Sequence, residues 1–350
     1  MRYSEEASKL YMEPVEFDKN SGKEVLQYAI GGLLYMPAMN SKIADKILRG
    51  EMREVKSFVL DLEDSLGDDM IKYGKHIIKD VIDKFREAIE TRAFDVKELP
   101  LIFIRVREAK QIKEIYHELG DSIQYITGFN VPKFDKTTCD EYIENFVYVR
   151  DLASKEYDTE LFIMPIIESK HAMYRQLRME NLLYINNALR PIANSVLNIR
   201  VGGVDFCSIF GVRRPVDATI YEIGPVGDCL NDILNVFAKS YVCSAPVWEY
   251  FGEQNENSDW VKGLCREIRA DRLNGFLGKT CVHPTQLKYV QDSLIVSRMD
   301  YEDALSILGM NTNTTGVKKS EHNNRMNEVK THTNWAKRII GQARVYGVKA

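Results

Sequence analysis

The feature that most constrains this chain is an eightfold recurrence. Short, β-rich apolar runs return along the sequence with helix-length spacers between them. In order they are 33–37 (LLYMP), 57–64 (SFVLDLED), 101–106 (LIFIRV), 128–133 (GFNVPK), 161–168 (LFIMPIIE), 198–205 (NIRVGGVD), 241–246 (YVCSAP) and 279–284 (KTCVHP). The runs are continuous rather than alternating, as expected for parallel strands covered on both faces. The spacers at 80–90, 139–150, 173–187 and 230–239 carry helical periodicity. Eight strand–helix units in about 250 residues is the count and size of a (β/α)8 barrel. The rival, a doubly wound sheet, usually carries a glycine-rich nucleotide fingerprint after its first strand, and the sequence has none there.

The expected organisation is an N-terminal extension at 1–30, a barrel at 31–308, and a polar linker with a C-terminal helix at 309–350. Residues 285–308 read as helix, 311–324 as an exposed, turn-rich linker, and 326–345 as an amphipathic helix. The formal net charge of -4 predicts no nucleic-acid footprint, and basic runs such as Val317-Lys318-Lys319 read as solvated surface. No apolar run approaches the roughly 20 residues that span a bilayer, and 1–20 lacks an apolar signal core. The six cysteines are scattered without a Cys-x-x-Cys pair, which predicts buried free thiols. A cytoplasmic location without membrane or nucleic-acid partners is expected.

Polar residues gather where the apolar runs end. Asp61, Glu63 and Asp64 close the second run and Arg105 the third, with Arg107 just after it. Lys133 closes the fourth, Glu168 the fifth, Asp205 the sixth and His283 the eighth. In a barrel the C-terminal strand ends form one mouth. Glu168 and Asp205 suit a hard cation such as Mg2+, which takes one or two carboxylates plus water and substrate oxygens. The bland alternative makes Glu168 a cap for a helix near Ser169 and Asp205 part of a turn. Arg105 can bind a substrate carboxylate or form a structural ion pair. Glu63 and Asp64 can hold metal-bound waters, orient Arg105, or begin a helix. Lys133 can stabilise negative charge, form a Schiff base, or lie ion-paired. Gly202 and Gly203 can let a substrate approach backbone N–H groups or merely turn the chain. His283 reads as a hydrogen-bonded structural residue or an acid–base group.

The chain resembles the citrate lyase β-subunit and HpcH/HpaI aldolase superfamily. The matching blocks run in order: LLYMPAMN at 33–40, FVLDLEDSL at 58–66, IRVRE at 104–108, NVPKF at 130–134, PIIES at 165–169, GGVDF at 202–206 and GFLGKTCVHPTQL at 275–287. The resemblance implies a TIM barrel that cleaves or forms C–C bonds in 2-oxo-acid or acyl-thioester substrates, usually with Mg2+ (Mn2+ being another suitable divalent ion). It implies metal ligands at Glu168 and Asp205, a carboxylate-binding Arg105, and water-orienting Glu63 and Asp64. It makes the His283-Pro284 block architectural and leads to the expectation of a homo-oligomer. The sequence departs from the pattern at Gly31-Gly32 and Ala38 around the first strand, after Gly211, and in the tail at 326–348. That tail is more similar to a divergent branch of C–C bond lyases associated with tellurite-resistance and stress gene clusters. The expected reaction is a metal-assisted lyase or aldolase step through an enolate. A thioester hydrolase on the same site and a non-catalytic ligand-binding barrel are the alternatives, and use of CoA or an acyl-carrier thioester stays open.

Overall fold

The computed structural model describes residues 1–3, 10–64, 66–310, 316–320 and 325–350. Eight parallel strands, β1 to β8, form the barrel: Gly32–Pro37, Ser57–Asp61, Leu101–Arg105, Gly128–Val131, Phe162–Ile167, Asn198–Val201, Val242–Ser244 and Lys279–Cys281. Each falls within or at the edge of an expected run. Neighbours in sequence pair in register from β1 to β7, and β8 pairs back onto β1. The last seam, β7 to β8, is a single bridge, Ala245 to Lys279. Around it, Leu277 N donates to Cys243 O at 2.8 Å and Ala245 N to Gly278 O at 3.1 Å.

The strands are mostly apolar because they are buried on both sides, within the barrel and against the helices. Their polar exceptions, such as Asp61, Arg105, Asn198, Arg200 and Lys279, are buried with partners or beside the cavity. The helix Ile71–Glu90 shows the outer half of that packing. It buries Gly74, Ile77, Ile78, Val81, Ile82 and Phe85, one stripe at helical spacing. Gly74 has no side chain because a Cβ there would come within 2.9 Å of Leu62 and 3.0 Å of Leu66. The protein has one large core that includes both barrel layers.

The ends of the chain pack on one another. Leu10–Met12 pairs antiparallel with Val348–Lys349, and the helix Lys23–Ala29 packs on the helix Val329–Tyr346. The expected single helix at 285–308 is two, Leu287–Leu294 and Arg298–Gly309. The chain extends between them because Val296 hydrogen-bonds the terminal strand: Val296 N donates to Gly347 O at 3.1 Å, and Lys349 N to Val296 O at 2.9 Å. The terminal helix starts at Val329, not 326, because Met326–Glu328 pairs with Val317–Lys319. Much of the linker expected at 311–324 lies outside the described residues, as does Ser65 of the possible helix start at 64–65. Five cysteines are buried free thiols as expected, while Cys265 is exposed. No described helix is long and apolar enough to cross a membrane.

Candidate active site

Parallel strands place all their C-terminal ends on one side. Asp64, Arg105, Glu168, Gly202, Gly203 and Asp205 meet there around a cavity of about 600 Å3, with Glu63 and Lys133 bonded to that rim. Asp61 and Arg105 occupy paired register positions at the ends of β2 and β3. Arg105 Nε donates to Asp61 Oδ1 at 2.5 Å and Nη2 to Asp61 Oδ2 at 2.7 Å, a two-pronged carboxylate contact. Nη1 meets Glu63 Oε2 at 2.9 Å and Asp64 Oδ2 at 3.1 Å. Both Asp61 and Arg105 are buried, and the Arg105 guanidinium packs 5.4 Å from the centre of the Tyr35 ring. Burial opposes the Arg105 charge, but the hydrogen bond and charge of Asp61 more than offset it and raise the pKa. Sequence reading gave no role to Asp61; its signal is the strand-end position level with Arg105.

Lys133 follows β4 by two residues with φ at +47°, a left-handed conformation that costs a non-glycine residue about 1–3 kcal/mol. That turn sends its two ends in different directions. Its backbone N donates to Glu168 Oε1 at 2.8 Å, and its ammonium donates to Glu63 Oε1. Burial would lower the Lys133 pKa, but the bond and charge of Glu63 hold it above the ordinary value. The amine is therefore kept charged, which suits electrostatic work and opposes a Schiff base. Glu63 is pushed upward chiefly by burial. Burial also acts upward on Asp64 at the rim, but its hydrogen bond with Glu63 and the charges of Arg105 and Lys133 hold it below the usual range.

Glu168 directly follows β5 and is only 4% exposed. Its side chain accepts from Lys133, and the short helix at Lys170–Met173 has no side-chain cap bond, so Glu168 is not a helix cap. Asp205 stands elsewhere than expected: β6 stops at Val201, and Asp205 lies in the first turn of the helix Gly203–Ile209. Gly202 breaks the strand and turns that helix so that Asp205 faces Glu168. A Cβ on Gly202 would sit 2.3 Å from Glu168 Oε2 and 3.0 Å from Asp205 Oδ2. The two oxygens are thus no further apart than the sum of those distances. A Cβ on Gly203 would meet Pro246 at 2.7 Å, so this glycine serves packing. Burial first, then the charge of Asp205, pushes the Glu168 pKa up to about 8. Burial and then Asp64 push Asp205 upward too.

His283 takes the architectural role. Its ring stacks on Phe251 at 4.7 Å, and it caps the short turn Pro284–Gln286 through Thr285 N. It does not line the cavity. Tyr35, Arg200 and Thr280, which sequence reading passed over, lie at or just beneath the cavity floor. Arg200 gave little signal because a lone arginine inside an apolar run reads as a strand residue of unknown facing.

The site fits a small hard cation by its donor set. Two carboxylates face each other beside a glycine with no room for a side chain. Among the described residues, no three or more Asp, Glu, His or Cys side chains are grouped to enclose a metal. A cation held by Glu168 and Asp205 therefore leaves positions for water or substrate, the arrangement Mg2+ favours.

A family model for C–C bond lyases of the TIM-barrel fold matches residues 24–348. The chain belongs to that family. These lyases take in nearly the whole chain, including the terminal helix that departs from the citrate lyase pattern. The fold is similar to protein CitE of Mycobacterium tuberculosis in complex with magnesium, acetoacetate and coenzyme A. That pair shows 15% identity and a TM-score of 0.58 over 91% of this chain and 99% of that one. CitE with magnesium and pyruvate gives 17% identity and 0.52 over 78% and 94%. RipC of Yersinia pestis gives 14% and 0.50 over 76% and 95%. At these identities the likeness is one of fold. No curated protein matches the chain in sequence.

Proposed function

We propose that this C–C bond lyase is Mg2+-dependent and acts on a small carboxylate substrate, a 2-oxo acid or an acyl-thioester analogue, through an enolate. The observation that carries the reading is the convergence of Glu168 and Asp205 beside Gly202 at the wall of the cavity. Those two residues hold the cation. When bound, it supplies Lewis-acid stabilisation to the oxygen on which negative charge develops.

The remaining work falls to the chain. Cleavage of the C–C bond turns the departing carbon into a carbonyl, its hydroxyl proton passing to water held at the mouth. It leaves the bond's electron pair on the carbon next to the retained carbonyl, delocalised onto oxygen. Lys133, held charged by Glu63, adds positive potential at that side of the mouth. Arg105, fixed in orientation by Asp61, presents its remaining N–H to a substrate carboxylate. Glu63 and Asp64 hold Arg105 and Lys133 in place and orient water. Gly202 keeps a side chain out of the space between Glu168 and Asp205, while Gly203 packs on Pro246.

The test is enolate formation itself. In D2O, the pyruvate methyl protons should exchange in the presence of enzyme and Mg2+, followed by proton NMR. The exchange should disappear with EDTA. Pyruvate that binds with Mg2+ but exchanges no faster than in the enzyme's absence would overturn the reading.

A further inference from the structure

Arg200 is a buried charge that the mechanism above does not use. It sits on β6, two residues before Gly202, and is 1% exposed. Its Nη2 donates to the Thr280 hydroxyl at 2.6 Å, while Nε and Nη1 are closed to solvent and have no hydrogen-bond partner. Its guanidinium lies 5.8 Å from the centre of the Tyr35 ring, the same ring on which Arg105 packs. Tyr35 and Thr280 both line the cavity, so Arg200 lies one side chain beneath its floor.

The two arginines contrast sharply. Arg105 meets three carboxylates, and Asp61 takes the two-pronged face of its guanidinium. No ion pair to Arg200 is present among the described residues. A guanidinium stays charged in proteins, and a buried charge without a counter-charge is costly. The half-buried Tyr35 accepts through its hydroxyl from Asn130 Nδ2 at 2.6 Å, which fixes the ring. Two arginine nitrogens and a fixed phenol thus stand ready for an acceptor that the protein does not provide.

We propose that Arg200, Thr280 and Tyr35 form an anion subsite in the cavity floor that takes a carboxylate of the substrate. The inference rests on the lyase reading above and specifies its substrate. One carboxylate of a dicarboxylic substrate sits at the floor, the other meets Arg105, and the oxo or thioester oxygen faces Glu168 and Asp205. Rotation of the Thr280 side chain frees Nη2 and opens the guanidinium to the cavity. The space of about 600 Å3 accommodates a small acid in this pose.

The test uses malonate and oxaloacetate titrated calorimetrically, each with and without Mg2+, against wild type, Arg200→Met and Arg200→Lys. Wild type should bind both acids. Arg200→Met should weaken them tenfold or more, the scale of a lost charge-assisted contact, while Mg2+ affinity stays within threefold. Arg200→Lys keeps the charge but not the planar donor set and should also weaken both acids. It decides the matter if Arg200→Met does not fold. Ligand-free Arg200→Met should melt no lower than wild type, since it loses an uncompensated charge; a purely structural arginine would give a lower melting temperature and unchanged acid binding. Acid affinities within threefold of wild type, or a wild type that binds neither acid, overturn the subsite. Failure of wild type to bind Mg2+ overturns the metal reading instead, and the titrations without Mg2+ still decide the subsite.

Discussion

Two buried charge clusters in this barrel look alike in composition and differ in balance. Beside β7 and β8, Glu267 is fully buried and accepts from Arg214 at 2.6 Å, from Lys279 at 2.8 Å and from Ile220 N at 2.8 Å. Asp271 accepts from Lys279 at 2.7 Å and from Tyr221 at 2.8 Å. Arg214 also stacks 4.6 Å over Trp248. With Glu249, which meets Arg214 at 3.5 Å and Arg213 at 3.4 Å, three carboxylates here meet three cations, and the cavity that reaches Asp271 and Lys279 is only about 10 Å3. At the mouth, Asp61, Glu63 and Asp64 pair with Arg105 and Lys133, Glu168 and Asp205 have no ion pair among the described residues, and this surplus of carboxyl groups borders the main cavity. Balance marks a cluster that holds the fold; imbalance facing open space marks one that awaits a ligand.

The largest expected effect breaks the balanced cluster. Glu267→Ala leaves Arg214 and Lys279 facing a void and should destabilise by about 3–5 kcal/mol in urea titrations. Glu168→Gln at the mouth removes a repulsive charge and should leave metal-free stability within about 1 kcal/mol of wild type or above it. Equal losses in the two variants would erase the distinction.

Next come the two glycines. Gly202→Ala forces a methyl into the carboxylate pair and should lower both stability, by about 1–3 kcal/mol, and Mg2+ affinity. Gly203→Ala collides with Pro246 and should cost comparable stability, with Mg2+ binding largely kept in the folded fraction. Parallel effects on metal binding would show that Gly202 has no special place.

The last effect is on pH. Glu168 has a folded pKa of about 8 against an ordinary value near 4.5. Protonated in both states at low pH, it contributes nothing there. As pH rises from about 5 to 8 the unfolded chain ionises first, so this group lowers metal-free stability across that window and no further above it. The wild type should therefore lose stability relative to Glu168→Gln between pH 5 and 8 in thermal melts. A difference that runs the other way would contradict the burial-driven shift.

Much of this was readable before the fold. The eight strands were legible because burial on both faces makes most of them continuous, largely apolar runs, Lys279–Cys281 being the least apolar. The mouth was legible because charges at run ends need no further geometry once the strands are parallel. Other features depend on contacts that sequence spacing does not encode. Asp205 belongs to a helix turn because Gly202 ends β6 early. The break at Val296 comes from pairing with the distant C-terminal strand, while Ile295 and Val296 themselves continue an apolar pattern. Asp61 and Arg200 became visible only through register and partners: one is an acid fixed on Arg105, the other an arginine facing no acid.

The central claim is that Glu168 and Asp205 together hold the divalent ion. Calorimetric titration of Mg2+ into metal-free wild type, Glu168→Gln and Asp205→Asn tests it most directly. Single-site binding in wild type, lost in both variants while their folded spectra are retained, is the predicted result. Mg2+ affinity in Asp205→Asn equal to that of wild type would contradict it.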